Sequence, residues 1–142
     1  MPKHKKLILF TDGGARGNPG PAGIGAAITT PELVAQKEYI STYSEYIGEA
    51  TNNQAEYKAL ILGLEKCLEL EPEELEVRMD SELIVKQLQG KYKVKNPGLA
   101  PLFTQAWNKS HRIKKVSFHH IPREQNKEAD RLVNLVVDKN LE

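Results

Sequence analysis

Residues 6–12, KLILFTD, form an apolar run far too short to cross a membrane and too continuous for a strand with one wet face. Such a run is expected of a central strand covered on both sides, so the rest of the chain has to supply two covering layers. It ends on an acid, Asp12, followed by GGARGNPGPAG, where glycine and proline set turn dihedrals. GIGAAITT reads as a second strand, TTPE as a hairpin turn and residues 33–42 as a third strand.

From Thr51 the period changes. Ala59, Leu60, Leu64, Cys67 and Leu68 make an apolar helical stripe that ends before Pro72. LEVRMD is a fourth strand, and Ser81 begins a short helix carrying Leu83, Ile84 and Leu88, closed by Gly90. Leu99, Leu102, Phe103, Ala106 and Trp107 fall at i, i+3, i+4, i+7 and i+8 of the next helix, which assigns Trp107 to the core rather than to a base-stacking platform. KKVSFHHI is a fifth strand. From about Glu124 a last helix buries Leu132, Val133, Val136 and Val137. The expected fold class is α/β, a five-stranded mixed sheet with helices on both faces, in one domain spanning residues 1–142.

No apolar stretch approaches a membrane span, and MPKHKK leads straight into a strand rather than a signal-peptide core, so a cytoplasmic chain with no membrane partner is expected. A monomer is expected too. The lone Cys67 rules out an internal disulfide and, at helical spacing from Leu60 and Leu64, reads as a small core residue rather than a reactive thiol. The net charge of +1 is uninformative, but its distribution is not. Residues 83–123 contain no Asp or Glu, yet carry Lys86, Lys91, Lys93, Lys95, Lys109, Arg112, Lys114, Lys115 and Arg123. The Lys86 to Lys95 run, with Tyr92 among its lysines, fits a phosphate-contacting patch; Lys109 to Lys115 serves equally well as a solvated face.

Four acids carry the chemistry: Asp12 in FTDGGARGNPG, Glu56 in TNNQAEYKAL, Asp80 in VRMDSELIV and Asp130 in REQNKEADRL. Taken singly, each is a helix cap, a surface charge or half of an ion pair. Asp80 precedes a helix as an N-cap does, and Glu56 lies near Lys58. Brought together, they repel. Two like charges about 4 Å apart cost roughly 4 kcal/mol at an effective dielectric near 20. Protonation or a divalent cation relieves that repulsion, and all-oxygen ligation favours Mg²⁺ or Mn²⁺ over zinc. The pattern is that of a metal-dependent phosphodiester hydrolase.

The four motifs, in order and at strand ends and helix starts, are specific: TDG with GNPGPAG, TNNQAE, MDSE and PREQNKEAD. The chain resembles ribonuclease H type 1 over nearly its whole length, in a short form. The resemblance implies a ribonuclease H-like sheet with strands 1 to 3 antiparallel and strands 4 and 5 parallel to strand 1. It implies endonucleolytic cleavage of the RNA strand of an RNA–DNA hybrid, with two Mg²⁺ (or Mn²⁺) ions and products ending in 5′-phosphate and 3′-hydroxyl groups. Carried over, the metal ligands are Asp12, Glu56, Asp80 and Asp130, with Asp12 bridging, Asp80 and Glu56 completing one site and Asp130 the other.

Substrate contacts carry over as well. Asn18, Asn52 and Asn53 match minor-groove positions, where amides suit 2′-hydroxyls and base edges. Thr51 matches a residue holding a DNA-strand phosphate and is equally a helix N-cap. Gly13 and Gly14 would let backbone amides approach the RNA strand. In two places the chain departs from longer members. Their basic, Trp-rich protrusion shrinks here to GKYKVKNPG. Their catalytic histidine lies in a glycine-bearing loop, whereas His120, at the same spacing from Asp130, falls in FHHIPRE, where strand alternation points to a packed position. Arg123, in the loop proper, is the expected catalytic helper, acting by charge because an arginine does not shuttle protons at neutral pH. The alternatives are a broader nuclease that also cuts double-stranded RNA, a hybrid-binding module without catalysis, and a resolvase- or integrase-like nuclease. All four carboxylates stand against the second, and TNNQAE against the third.

Overall fold

Strand β1 (His4–Ala15) runs through the middle of a five-stranded sheet of order β3-β2-β1-β4-β5 in the computed structural model, which describes residues 4–141. Strand β2 (Gly20–Thr29) pairs antiparallel with β1, and β3 (Ser41–Ala50) antiparallel with β2. Strand β4 (Pro72–Met79) runs parallel to β1, and β5 (Lys115–His120) parallel to β4. This is the mixed sheet the resemblance implies.

Alternation along β1 sends side chains into two cores. Leu7 and Leu9, both fully buried, meet Tyr57, Leu60 and Leu64 of helix α2 (Asn52–Glu69). Ile8 and Phe10 meet Ala129 and Leu132 of the last helix on the other face. Burying such side chains stabilises by about 1.5–3 kcal/mol each, which is why an unbroken apolar run is needed here. Cys67 is buried in the α2 core, and burial pushes its thiol up to about 12, so it behaves as the inert core residue expected. On the opposite face β2 presents Gly25, where a Cβ would lie 2.7 Å from the carbonyl oxygen of Ala129. Glycine lets the final helix lie directly on the strand.

The third strand is not at residues 33–42. Those residues instead begin in a helical turn, α1 (Pro31–Val34), followed by a loop, and β3 starts only at Ser41. Thr30 accepts a hydrogen bond from the Leu33 amide, and Pro31 occupies the first helical turn, so TTPE is a helix start rather than a hairpin turn. Helix α3 (Glu82–Leu88) is capped by Ser81, whose hydroxyl accepts from Ile84, so Asp80 is not the cap.

Helix α4 (Ala100–Ser110) packs on α2 through buried Ala106. Trp107 does not join the core. It is 37% exposed, lies over Phe103 with ring centroids 5.7 Å apart and stacks on His111 at 4.1 Å. At 100° per residue, i+8 sits about 80° round from Leu99, and a stripe facing one helix is too narrow to cover it. After β5, a 3₁₀ turn (Arg123–Gln125) precedes α5 (Lys127–Leu141), with Leu132, Val133 and Val137 buried as expected and Val136 only half-buried. Among the described residues no helix is long and apolar enough to cross a membrane.

Candidate active site

Asp12 and Asp80 meet because their strands are parallel neighbours. The last ladder pair of β1 and β4 is Phe10 with Arg78, and each acid lies two residues farther on. Helix α2 delivers Glu56 from its second turn. The helix crosses β1 so closely that a Cβ on Gly13 would stand 2.3 Å from the carbonyl carbon of Ala55. At that crossing Gly13 N–H donates to Glu56 Oε1 at 2.8 Å. Asp12, Glu56 and Asp80 each place a carboxylate oxygen within 4.8 Å of the others.

Asp130, in the first turn of α5, lines the same cleft of about 480 Å³. Its Oδ1 accepts from Arg123 at 3.4 Å, and its Oδ2 from the side-chain amide of Asn134 at 3.3 Å. The structure thus gathers three of the four acids tightly and sets the fourth on the adjoining wall. Glu56 makes no pair with Lys58; its partner is the Gly13 amide.

Burial and mutual repulsion dominate the electrostatics. Burial first, then Asp80 and Asp130, push the Asp12 carboxyl up to about 7. Glu56 is raised well above the usual carboxylate range by burial and by Asp12 and Asp80, against the opposing Gly13 hydrogen bond. Asp80 is raised mainly by burial, opposed by the nearby Asn126 amide and the charge of Arg123. Among the described residues no lysine or arginine sits among the three clustered carboxylates to neutralise them. An all-oxygen donor set with unbalanced negative charge fits a hard divalent cation.

A second groove, of about 500 Å³, shares Asn52 and Asn53 with this cleft and is lined further by Asn18, Thr51, Gln54, Asn96, Gly98 and Leu99. Thr51 caps α2 in a reciprocal box with Gln54, so the helix-cap reading of Thr51 holds. The Asn18 side-chain carbonyl accepts from Asn52 N–H at 3.0 Å, and that of Asn52 accepts from Ala15 N–H at 2.8 Å. Both residues spend their carbonyls joining the β1–β2 turn to the helix start. Gly13 also lines the cleft, but its amide is engaged by Glu56. Gly14 lines the cleft.

Arg123 lies on the cleft with its side chain largely exposed, as its loop position predicts. His120 departs from expectation: it is exposed and lies outside the cleft lining, because β5 is an edge strand whose end overruns the core after Phe118. Sequence reasoning missed three polar residues. Arg16 bonds Asp138 at 2.7 Å and Asn134 at 3.2 Å, beside the cleft. Asn134 stands one helical turn after Asp130, a spacing that could have revealed it. Asn126, buried beneath the site, stands four residues before Asp130, where a helix cap is expected.

Residues 10–136 match the family described as Reverse transcriptase-like. The Bifunctional protein Rv2228c of Mycobacterium tuberculosis is 41% identical over 94% of the chain, which spans only 36% of that relative. Ribonuclease HI of Halobacterium salinarum is 37% identical over 94% of the chain and 65% of its own length. Among solved structures, LC11-RNase H1 in complex with an RNA/DNA hybrid superposes with a TM-score of 0.87 at 49% identity, covering 96% of this chain and 99% of that one.

Proposed function

The chain belongs to the ribonuclease H type 1 family, and from that premise we propose that it is an endonuclease hydrolysing the RNA strand of RNA–DNA hybrids by a two-metal-ion mechanism. The single observation that carries this reading is the set of three carboxylates from three separate segments within 4.8 Å of one another, with Asp130 on the same cleft. Asp12, Glu56, Asp80 and Asp130 would hold Mg²⁺ or Mn²⁺. Bound there, the ions would activate water for in-line attack and stabilise the leaving ribose 3′ oxygen, leaving 5′-phosphate and 3′-hydroxyl ends.

The chain's own groups have distinct tasks. Gly13 N–H fixes Glu56 in one orientation, so its carboxylate needs no reorganisation when the cation arrives. Arg123 supplies positive charge at the Asp130 end of the cleft, suited to the scissile phosphate or a departing product. Thr51 accepts from the Gln54 amide and keeps its own O–H free to donate to a DNA-strand phosphate. With their carbonyls engaged, Asn18 and Asn52 keep NH₂ donors for the minor groove, beside Asn53. Gly14 leaves the cleft floor without a side chain.

A broader nuclease that also cuts double-stranded RNA is the second reading. The connection from α3 to α4 is short, and both duplexes share A-form geometry, so only contacts to the second strand separate them. Hybrid, double-stranded RNA and double-stranded DNA, each incubated with Mg²⁺ and with Mn²⁺, test both readings. Cleavage confined to the RNA of the hybrid supports the first. Equal rates on double-stranded RNA support the second, and cleavage of neither refutes both.

A further inference from the structure

We propose that Asn126 is the positioning residue of the carboxylate cluster: its buried amide sets the spacing between the segments that carry Asp12 and Asp130 and so tunes cation affinity without touching cation or substrate. The inference rests on reading that cluster as a cation site.

Asn126 is 1% exposed, in the bend between the 3₁₀ turn and α5. Its Nδ2 donates to the carbonyl of Thr11 at 2.9 Å, across 115 residues of chain. Thr11 is fully buried and directly precedes Asp12. The β1–β4 ladder last pairs Phe10 with Arg78, so the amide takes a carbonyl at the point where the two strands part. An unsatisfied buried carbonyl there would cost about 1–3 kcal/mol. The main chain of Asn126 does two more things: its N–H donates to Arg123 at 2.9 Å, and its carbonyl accepts from Asp130 N–H at 3.1 Å. One residue is therefore bonded to the segments carrying Asp12, Arg123 and Asp130. Its Oδ1 is buried with no protein partner, so the donation to the Thr11 carbonyl is what an apolar residue at this position could not supply. The bonds are all to backbone, which is what holding two ligand-bearing segments in register requires.

A merely structural amide would change stability and leave the affinity of the folded protein alone. The test is the Kd for Mn²⁺ alone, from water-proton relaxation, on parent, Asn126→Ser and Asn126→Asp, each held below its unfolding transition as followed by circular dichroism. The serine is too short to reach Thr11. The aspartate keeps the shape, loses the donor and adds an anion, which by charge alone would tighten cation binding. Both variants are expected to bind Mn²⁺ at least tenfold more weakly, the usual scale for removing a supporting partner of a metal ligand. A smaller change in either folded variant overturns the proposal. If one variant fails to fold, the other decides; if both fail, the amide holds the fold rather than the site and the proposal falls. A parent that binds no Mn²⁺ refutes the cation-site reading itself.

Discussion

Gly13 N–H donates to Glu56 Oε1 at 2.8 Å, and the same glycine leaves no room for a side chain against the Ala55 backbone. Helix packing and carboxylate orientation are therefore one contact. Gly13→Ala should lower stability by about 2 kcal/mol or more through this backbone clash and should weaken divalent-cation binding with it. Thermal unfolding together with Mn²⁺ titration checks both. An alanine variant with parent stability would show that α2 does not cross where described.

The raised carboxyl of Asp12 makes the metal-free protein sensitive to pH. Unfolded, the group titrates near 3.8; folded, near 7. Between those values the folded state holds a proton that the unfolded state does not, so stability is full below about 4 and falls as pH rises through 7. At about 1.4 kcal/mol per unit the loss amounts to a few kcal/mol. In the presence of a chelator, the thermal midpoint should drop between pH 5 and pH 8, and added Mg²⁺ should restore it more at pH 8 than at pH 5. A midpoint that rises over that interval would contradict the clustered carboxylates.

Arg123 and His120 part company in the structure. Arg123→Ala should lower kcat at least tenfold, since stabilising developing charge is worth roughly 10²–10³ in rate, with little change in thermal midpoint because its ion pair is exposed. His120→Ala, at an exposed strand end, should leave both near the parent's values. Measuring kcat and midpoint under saturating metal decides. A slower His120→Ala enzyme beside an unimpaired Arg123→Ala would reverse the assignment.

Lys91, Lys93 and Lys95 are exposed and pair with no described acid, whereas Lys86, Lys109 and Lys115 are tied to Glu82, Glu65 and Glu74. Replacing the three free lysines with Ala should weaken binding to hybrid and reduce the slope of log K against log[salt] by close to one unit per lost phosphate contact. Unchanged affinity and slope would mark the run as a solvated face.

The carboxylates were legible in the chain because each sits beside a short-range signal. Asp12 and Asp80 follow apolar strands, while Glu56 and Asp130 lie in helices whose starts carry polar capping residues. The start of β3 is not legible because the residues Thr30-Pro31-Glu32 suit a turn and a helix start equally well, and here they begin a helix. The exposure of Trp107 is not legible because spacing alone does not tell how wide a face the neighbouring helix covers. His120 obeys alternation, but alternation does not reveal that an edge strand runs out beyond its core. The links Gly13–Glu56 and Asn126–Thr11 span 43 and 115 residues, and no local pattern announces such bonds.

The most direct test of the central claim compares parent and Asp12→Asn on a hybrid with end-labelled RNA in Mg²⁺. An amide matches the shape of the carboxylate but cannot supply the anionic oxygen a divalent cation requires. The parent should cut the RNA strand and lose that activity on chelation. Asp12→Asn should be folded, more stable than the parent without metal at pH 8, and without detectable cleavage. Substantial cleavage by Asp12→Asn, or undiminished cleavage by the parent after exhaustive chelation, would contradict a cation-dependent nuclease centred on Asp12.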